Sequence, residues 1–208
     1  MWTLVPLGNP GAEYQDTRHN LGRLLLQRWM ADRNLAPKPS TRFPSGSVYP
    51  LAPGLQALVP STYMNLSGEA CAQAHAAGSY PRRMILLYDD KDLPLGTGRF
   101  RRNGSAGGHN GLGSVFERLG TTEVPRLRLG IGPFERPLVD FVLGHWTEAE
   151  WTHIKALDAP FARFLTLLAG TEELGTLGNL VNPPSFWDPD REQKPSTGPD
   201  RSDNAGAP

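Results

Sequence analysis

A chain of 208 residues, 38% hydrophobic and 20% charged, has room for one ordinary domain with a buried core and shows no disordered or fibrous composition. Its 21 basic and 21 acidic residues cancel, which excludes a protein that coats nucleic acid through overall charge, so any RNA contact must come from a local patch. The single cysteine, Cys71, excludes an intramolecular disulfide and reads as a small buried apolar residue in an Ala-rich run.

In chain order, Trp2 to Leu7 reads as a first strand, with Pro6 implying a strand end or an edge position. Gly8-Asn9-Pro10-Gly11 then stops regular structure. Leu21, Leu24, Leu25 and Trp29 fall on one face of a helix expected over 18–33, with Thr17 as its N-cap. Residues 36–46 read as a loop. Strands near 47–49 and 55–59, parted by Pro53-Gly54, suggest a hairpin. Ser67 is placed to cap a helix running to about Ala77 and ending at Gly78. Met84 to Tyr88 is wholly apolar, the pattern of a central strand, and Asp89 stands at its carboxyl end. Further strands are expected over 98–102 and 126–131, with a short helix over 111–119 between them. Thr147-Glu148-Ala149-Glu150 is a capping box, opening a long helix to about Ala169 that Pro160 should kink, and a short helix is expected near 171–177.

This order predicts an α/β fold: one domain with a twisted, mixed and partly parallel central sheet flanked by helices. Residues 1–182 form that domain. From Pro183 on, Pro, Gly, Ser and Asp dominate, so 183–208 is expected to be a disordered tail. No charged segment leads into an apolar run at the start, and no stretch approaches the roughly 20 apolar residues of a membrane span. The expected location is cytoplasmic, with no membrane partner.

Sites in open α/β sheets gather at the carboxyl ends of strands. Four polar groups fall there: Asn9, Tyr14, His19 and Asn20; Tyr63 to Ser67; Asp89, Asp90 and Asp92; and Gly107 to Gly111. A histidine at a helix start is favoured in its neutral form, which can accept a proton as a general base. A carboxylate on its second nitrogen fixes the tautomer, and Asp89 is the candidate. Residues alone leave open that His19 is merely a capping histidine. The three aspartates offer oxygen ligands for Mg²⁺ or Ca²⁺, though their spacing fits no EF-hand loop, and no zinc motif is present. The Gly104–Gly111 run lacks a Walker ending but can turn N–H groups toward an anion. Asn9, Asn65 and Asn110 suit an amide-rich substrate. Arg99 and Arg101 share one strand face, as do Arg126 and Arg128, and together they make a candidate phosphate patch.

The strings LGNPGAEYQDTRHNLG, VPSTYMNLSG, YDDKDLPLG and GSAGGHNGLGS, followed by RLRLGIG and FVLGHW, resemble in order the motifs of the bacterial peptidyl-tRNA hydrolase family, over about residues 3–180. The resemblance implies a monomeric α/β enzyme that uses no cofactor or metal and hydrolyses the ester joining a peptide to the 3′ end of tRNA. It implies His19 as the base that activates water, Asp89 as the carboxylate holding it, and Asn9 as the group distinguishing blocked from free aminoacyl ends. Tyr14, Tyr63, Asn65 and Asn110 match channel positions, Met64 and His109 neighbouring ones, and Arg101 and Arg128 basic positions for tRNA phosphate. Pro6, Tyr63 and Tyr88 stand where family members usually carry Gly, Phe and often His. Two rivals remain at this stage. One is a non-catalytic RNA-binding relative on the same fold. The other is a ribonuclease using His19 and His109 as base and acid.

Overall fold

The structure, a computed structural model, describes residues 1–134 and 137–188. Seven strands form one sheet in the order β2-β3-β4-β1-β5-β7-β6. They are β1 (Trp2–Pro6), β2 (Thr41–Phe43), β3 (Gly46–Ala52), β4 (Leu55–Pro60), β5 (Met84–Pro94), β6 (Gly98–Arg101) and β7 (Arg126–Gly132). The inner strands β4, β1, β5 and β7 run parallel, while β2, β3 and β6 run antiparallel to their neighbours. The sheet is therefore mixed, as expected. Pro6 resolves its own ambiguity: β1 is central, and Pro6 closes it opposite Leu87.

Strand alternation divides the core. Leu4, Ile85, Leu87, Leu127 and Leu129 face one layer, made by α1 (Leu21–Asp32), α5 (Glu148–Ala156), α6 (Asp158–Ala169), α7 (Leu174–Val181) and α8 (Pro184–Trp187). Val5, Met84, Leu86 and Tyr88 face the other, made by α2 (Ser67–Ala76) and α3 (Asn110–Leu119). A five-residue helix, α4 (Leu138–Val142), follows β7. Cys71 is fully buried in the second layer, where desolvation pushes its thiol up to about 12, as suits a packing residue. None of the described helices is long and apolar enough to cross a membrane.

Several elements differ from expectation, each for a local reason. β2 lies inside the stretch read as a loop, because Thr41–Phe43 gains its order from pairing with β3. Residues 18–20 form a 3-10 turn before α1, and the Thr17 hydroxyl donates back to the Tyr14 carbonyl instead of capping. Ser67 opens α2 without a side-chain cap. The long helix is two: the Leu157 N–H bonds three residues back to Ile154, and Pro160 sits in the first turn of α6, where its missing N–H costs nothing. The last short helix lies later than expected, as α7.

The domain also extends past residue 182. Asn182 accepts from the Phe100 N–H and donates to the Phe100 carbonyl, covering the free edge of β6 with an amide. Trp187, 3% exposed, lies against Gly98, where a Cβ would meet its ring at 2.5 Å. Residues 183–188 therefore belong to the folded unit, a correction to the expected tail. Tail residues 189–208 lie outside the described residues.

One close approach places the site. A Cβ on Gly22 would come within 2.6 Å of the Leu87 carbonyl oxygen. Only glycine lets α1 press onto β5 there, three residues after His19 and two before Asp89.

Candidate active site

The carboxyl ends of β1, β4, β5 and β7 open on one side of the sheet, where a switch between successive connections leaves a crevice. A cleft of about 350 Å³ lies there, lined by His19, Asp89, Arg101, His109, Asn110, Arg128 and the 103–108 loop, with Leu138, Val139 and Val142 of α4 forming one wall.

At its inner end stands a buried chain of three groups. His19 Nδ1 lies 2.9 and 3.0 Å from the two Asp89 carboxylate oxygens. His109 Nε2 lies 3.1 Å from Asp89 Oδ1. His109 Nδ1 accepts the N–H groups of Gly111 and Leu112, so its imidazole is the N-cap of α3. Those two donors require a bare Nδ1, which puts the His109 proton on Nε2, donating to Asp89. Asp89 accepts from both histidines. The His19 proton therefore sits on Nδ1, and its Nε2 lone pair is left for the cleft.

The electrostatics agree. Burial by itself would lower the His19 pKa, but the Asp89 charge and hydrogen bond outweigh it and raise it above the ordinary 6.5. Burial would likewise raise Asp89, yet its two histidine partners hold it far below the usual carboxylate range. The neutral N-cap also bears on the nuclease rival. Both ring nitrogens of His109 are engaged, so the ring has no free nitrogen with which to act as an acid.

Asn9 is not among the residues lining the cleft and instead lines a second pocket with Pro10, Gly11, Ala12, Asn20 and Arg23. Its backbone N–H donates to Asn20 Oδ1, and its carbonyl accepts from Asn20 Nδ2. Its own Oδ1 accepts the Met64 N–H at 2.8 Å. That fixes the amide orientation and leaves the Nδ2 hydrogens as available donors. The Met64 sulfur packs on Gly111, where a Cβ would meet it at 2.5 Å, so the buried Met64 links Asn9 to the start of α3. Tyr14 and Tyr63 meet edge to face, with ring centroids 6.3 Å apart. Asn110 opens α3 beside His109 and lines the cleft. Asn65 is exposed on the Met64–Leu66 turn and hydrogen-bonds none of these groups among the described residues.

The basic patch divides in two. The pairings Arg99↔Arg128 and Arg101↔Arg126 put all four arginines on one face. Arg101 is exposed at the cleft rim, and Arg128 Nε donates to Asp90 Oδ2 at 2.7 Å. Arg126 departs from the expected patch: it is 2% exposed, donates to the carbonyls of Gly104, Ser105, Thr122 and Val124, and lies over the Phe116 ring. It fastens the Gly-rich loop to β7.

Asp89, Asp90 and Asp92 do not converge as a metal cluster. Asp90 serves Arg128, Tyr88 and the Asp92 N–H. The convergent set is His19, Asp89 and His109, with ligand atoms within 4.8 Å of one another, but a cation there would have to displace both histidine–carboxylate hydrogen bonds. Residue patterns missed the α4 wall, the Asp90–Arg128 pair and the cap on His109. The dipeptide His109-Asn110 before an apolar helix was the one available signal for that cap.

The model of the family described as peptidyl-tRNA hydrolase matches residues 3–185. The peptidyl-tRNA hydrolase of Synechococcus sp. (strain JA-3-3Ab) is 40% identical over 201 residues, spanning 93% of this chain and 88% of its own. That of Chloroflexus aurantiacus is 39% identical over 192 residues, 88% of this chain and 100% of its own. The crystal structure of peptidyl-tRNA hydrolase from Acinetobacter baumannii superposes with a TM-score of 0.77 at 27% identity, covering 88% of this chain and 94% of that one. With the family model, the curated relatives and the solved structures matching along nearly the whole described length, the chain belongs to the peptidyl-tRNA hydrolase family.

Proposed function

We propose that this enzyme hydrolyses the ester joining a peptide to the 3′ end of tRNA, as a cytoplasmic monomer, with His19 as general base. The observation that carries the residue assignment is the Asp89 carboxylate on His19 Nδ1, with the opposite ring nitrogen free among the described residues. Water at Nε2 gives up a proton as it attacks the ester carbonyl. The imidazolium that forms is stabilised by Asp89, which stays ionised, and the proton then passes to the departing ribose oxygen. The tetrahedral intermediate carries an oxyanion, for which the Asn110 amide, on the same cleft as the base, and the Asn9 Nδ2 hydrogens are the candidate donors. Substrate carbonyls of the peptide meet the same neutral amides, whereas a free ammonium finds no carboxylate left unengaged at the inner end, which disfavours unblocked aminoacyl ends. Tyr14 and Tyr63 flank that channel. The neighbouring Met64, Asn65 and His109 shape it, and His109 does so through Asp89. Arg101 and Arg128 at the outer rim receive tRNA phosphate.

The test is release of peptide from N-acetyl-aminoacyl-tRNA by wild type and by His19→Ala, with unblocked aminoacyl-tRNA as control. Turnover of the blocked substrate alone, reduced by roughly 10²-fold or more in a folded His19→Ala, is the expected result. Undiminished turnover in that variant would remove His19 from the role. A folded wild type that binds tRNA without turnover would return the non-catalytic reading.

A further inference from the structure

Arg18 immediately precedes the base and is 2% exposed. The segment from α4 to α5 encloses it. Nη1 donates to the His145 carbonyl at 3.0 Å, and Nη2 lies 2.7 and 2.8 Å from the two Glu150 oxygens. The guanidinium carbon sits 4.7 Å from the Phe141 ring centroid and 5.0 Å from that of Trp146. The main chain repeats the attachment: the Arg18 N–H donates to Gly144 O, and Thr17 bridges His145. Glu150 is itself fixed, since its Oε2 accepts from the Thr147 N–H and hydroxyl in the capping box of α5.

This segment has a second face. Phe141 packs on Arg18 while Leu138, Val139 and Val142 of the same short helix line the cleft. Arg18 therefore ties the back of the cleft wall to the residue next to the base. With the Glu150 side chain 23% exposed the ion pair is a poor source of net stability, but the guanidinium, with Nη2 on the Glu150 carboxylate and Nη1 on the His145 carbonyl, holds two elements in one register. Asp89 holds one edge of the His19 ring, and nothing in that contact sets the ring's distance from α4.

We propose that Arg18 is a positioning residue for hydrolysis: clamped by Glu150, Phe141 and Trp146, it sets through its own backbone where the His19 ring stands relative to the α4 wall. The inference rests on His19 being the base. Its closest test compares Arg18→Lys, which keeps the charge and loses the fork, with Glu150→Gln, which keeps an acceptor and loses the charge. Phe164→Leu, in the core and not among the residues lining the cleft or touching Arg18, serves as a control matched for loss of Tm. The readouts are kcat and KM on N-acetyl-aminoacyl-tRNA and the NMR signal of the His19 Nδ1 proton, which reports its bond to Asp89.

Both clamp variants should lower kcat by about 10- to 100-fold with KM within about twofold, since a displacement near 1 Å costs on that order. The Nδ1 proton signal should shift or broaden in both and stay unmoved in Phe164→Leu. Should Arg18→Lys fail to fold, Glu150→Gln decides alone. Folded clamp variants with wild-type kcat, or an equal loss in Phe164→Leu, overturn the proposal. His19→Ala in the same assay separates the two readings: if it keeps turnover, the base assignment fails, and if it is dead while Arg18→Lys is normal, only the clamp fails.

Discussion

At the inner end of the cleft, the His19, Asp89 and His109 side chains are 11%, 2% and 9% exposed and joined through one carboxylate. At the outer end, Arg101 is exposed and Arg128 is held by Asp90 alone among the described residues. The inner end is dry and closed, so a proton moved there is governed by a few fixed partners and small displacements matter. The outer end is wet, where a charge acts over several ångströms, is screened by salt and tolerates imprecise placement. Under the proposed function, the cleft puts exact geometry where a bond breaks and loose attraction where a large polyanion must arrive and leave.

The sharpest way to break this contrast is Asp89→Asn. An amide donating to His19 Nδ1 would push the ring proton onto Nε2, the wrong tautomer, so kcat should fall on the order of 10³-fold or more. The pH dependence has a definite sign. The base works unprotonated, and Asp89 raises its pKa, so the acid limb of wild-type kcat/KM should have its midpoint above 6.5. Without the carboxylate, burial is left to dominate, and the residual activity should titrate at lower pH. A midpoint that stays put would detach Asp89 from the base.

The two arginines of β7 make the second comparison. Arg126→Gln strands four carbonyls and should cost about 2–4 kcal/mol of stability by urea unfolding. Arg128→Gln should cost less, about 1–2 kcal/mol, because its amide still donates to the buried Asp90 carboxylate, and should instead raise KM for the tRNA substrate. The reverse ranking would mean that the buried guanidinium is the one reaching substrate. A gentler effect is expected of Arg101→Ala. KM should rise several-fold with kcat unchanged, and the salt dependence of log KM should flatten by roughly 0.7–0.9, the loss of one phosphate contact. An altered kcat would join the outer end to the chemistry. Smallest of all, removing 189–208 should change kcat/KM by less than about twofold, while removing 183–208 takes Trp187 from the core and should lower stability by about 3–5 kcal/mol.

Much of the site was readable because its residues lie in short motifs at strand ends. Gly8 to Asn20, Tyr63 to Ser67 and Gly104 to Gly111 each combine turn-forming residues with groups that carry chemistry, and local spacing is enough to see that. The hairpin of β3 and β4, the central β5 and the capping box of α5 were legible for the same reason: each depends on period, turn residues or i to i+3 geometry. β2 escaped notice because three residues between prolines carry no period, and its order comes wholly from the β3 edge.

Sequence by itself determined the α/β plan, the four polar clusters and the resemblance that named the chemistry, since these depend on residue types close together in the chain. Tertiary structure alone decided how distant residues divide their hydrogen bonds. Arg126 and Arg128 look alike in sequence, yet one meets a ring of carbonyls and the other an aspartate. Glu150 reads as a cap, and only the fold shows it also neutralising Arg18, 132 residues away. The reason is desolvation. A charged or polar group removed from water must bond whatever the packing brings to it, and that neighbour is set by the crossing of helices and strands rather than by the residues on either side.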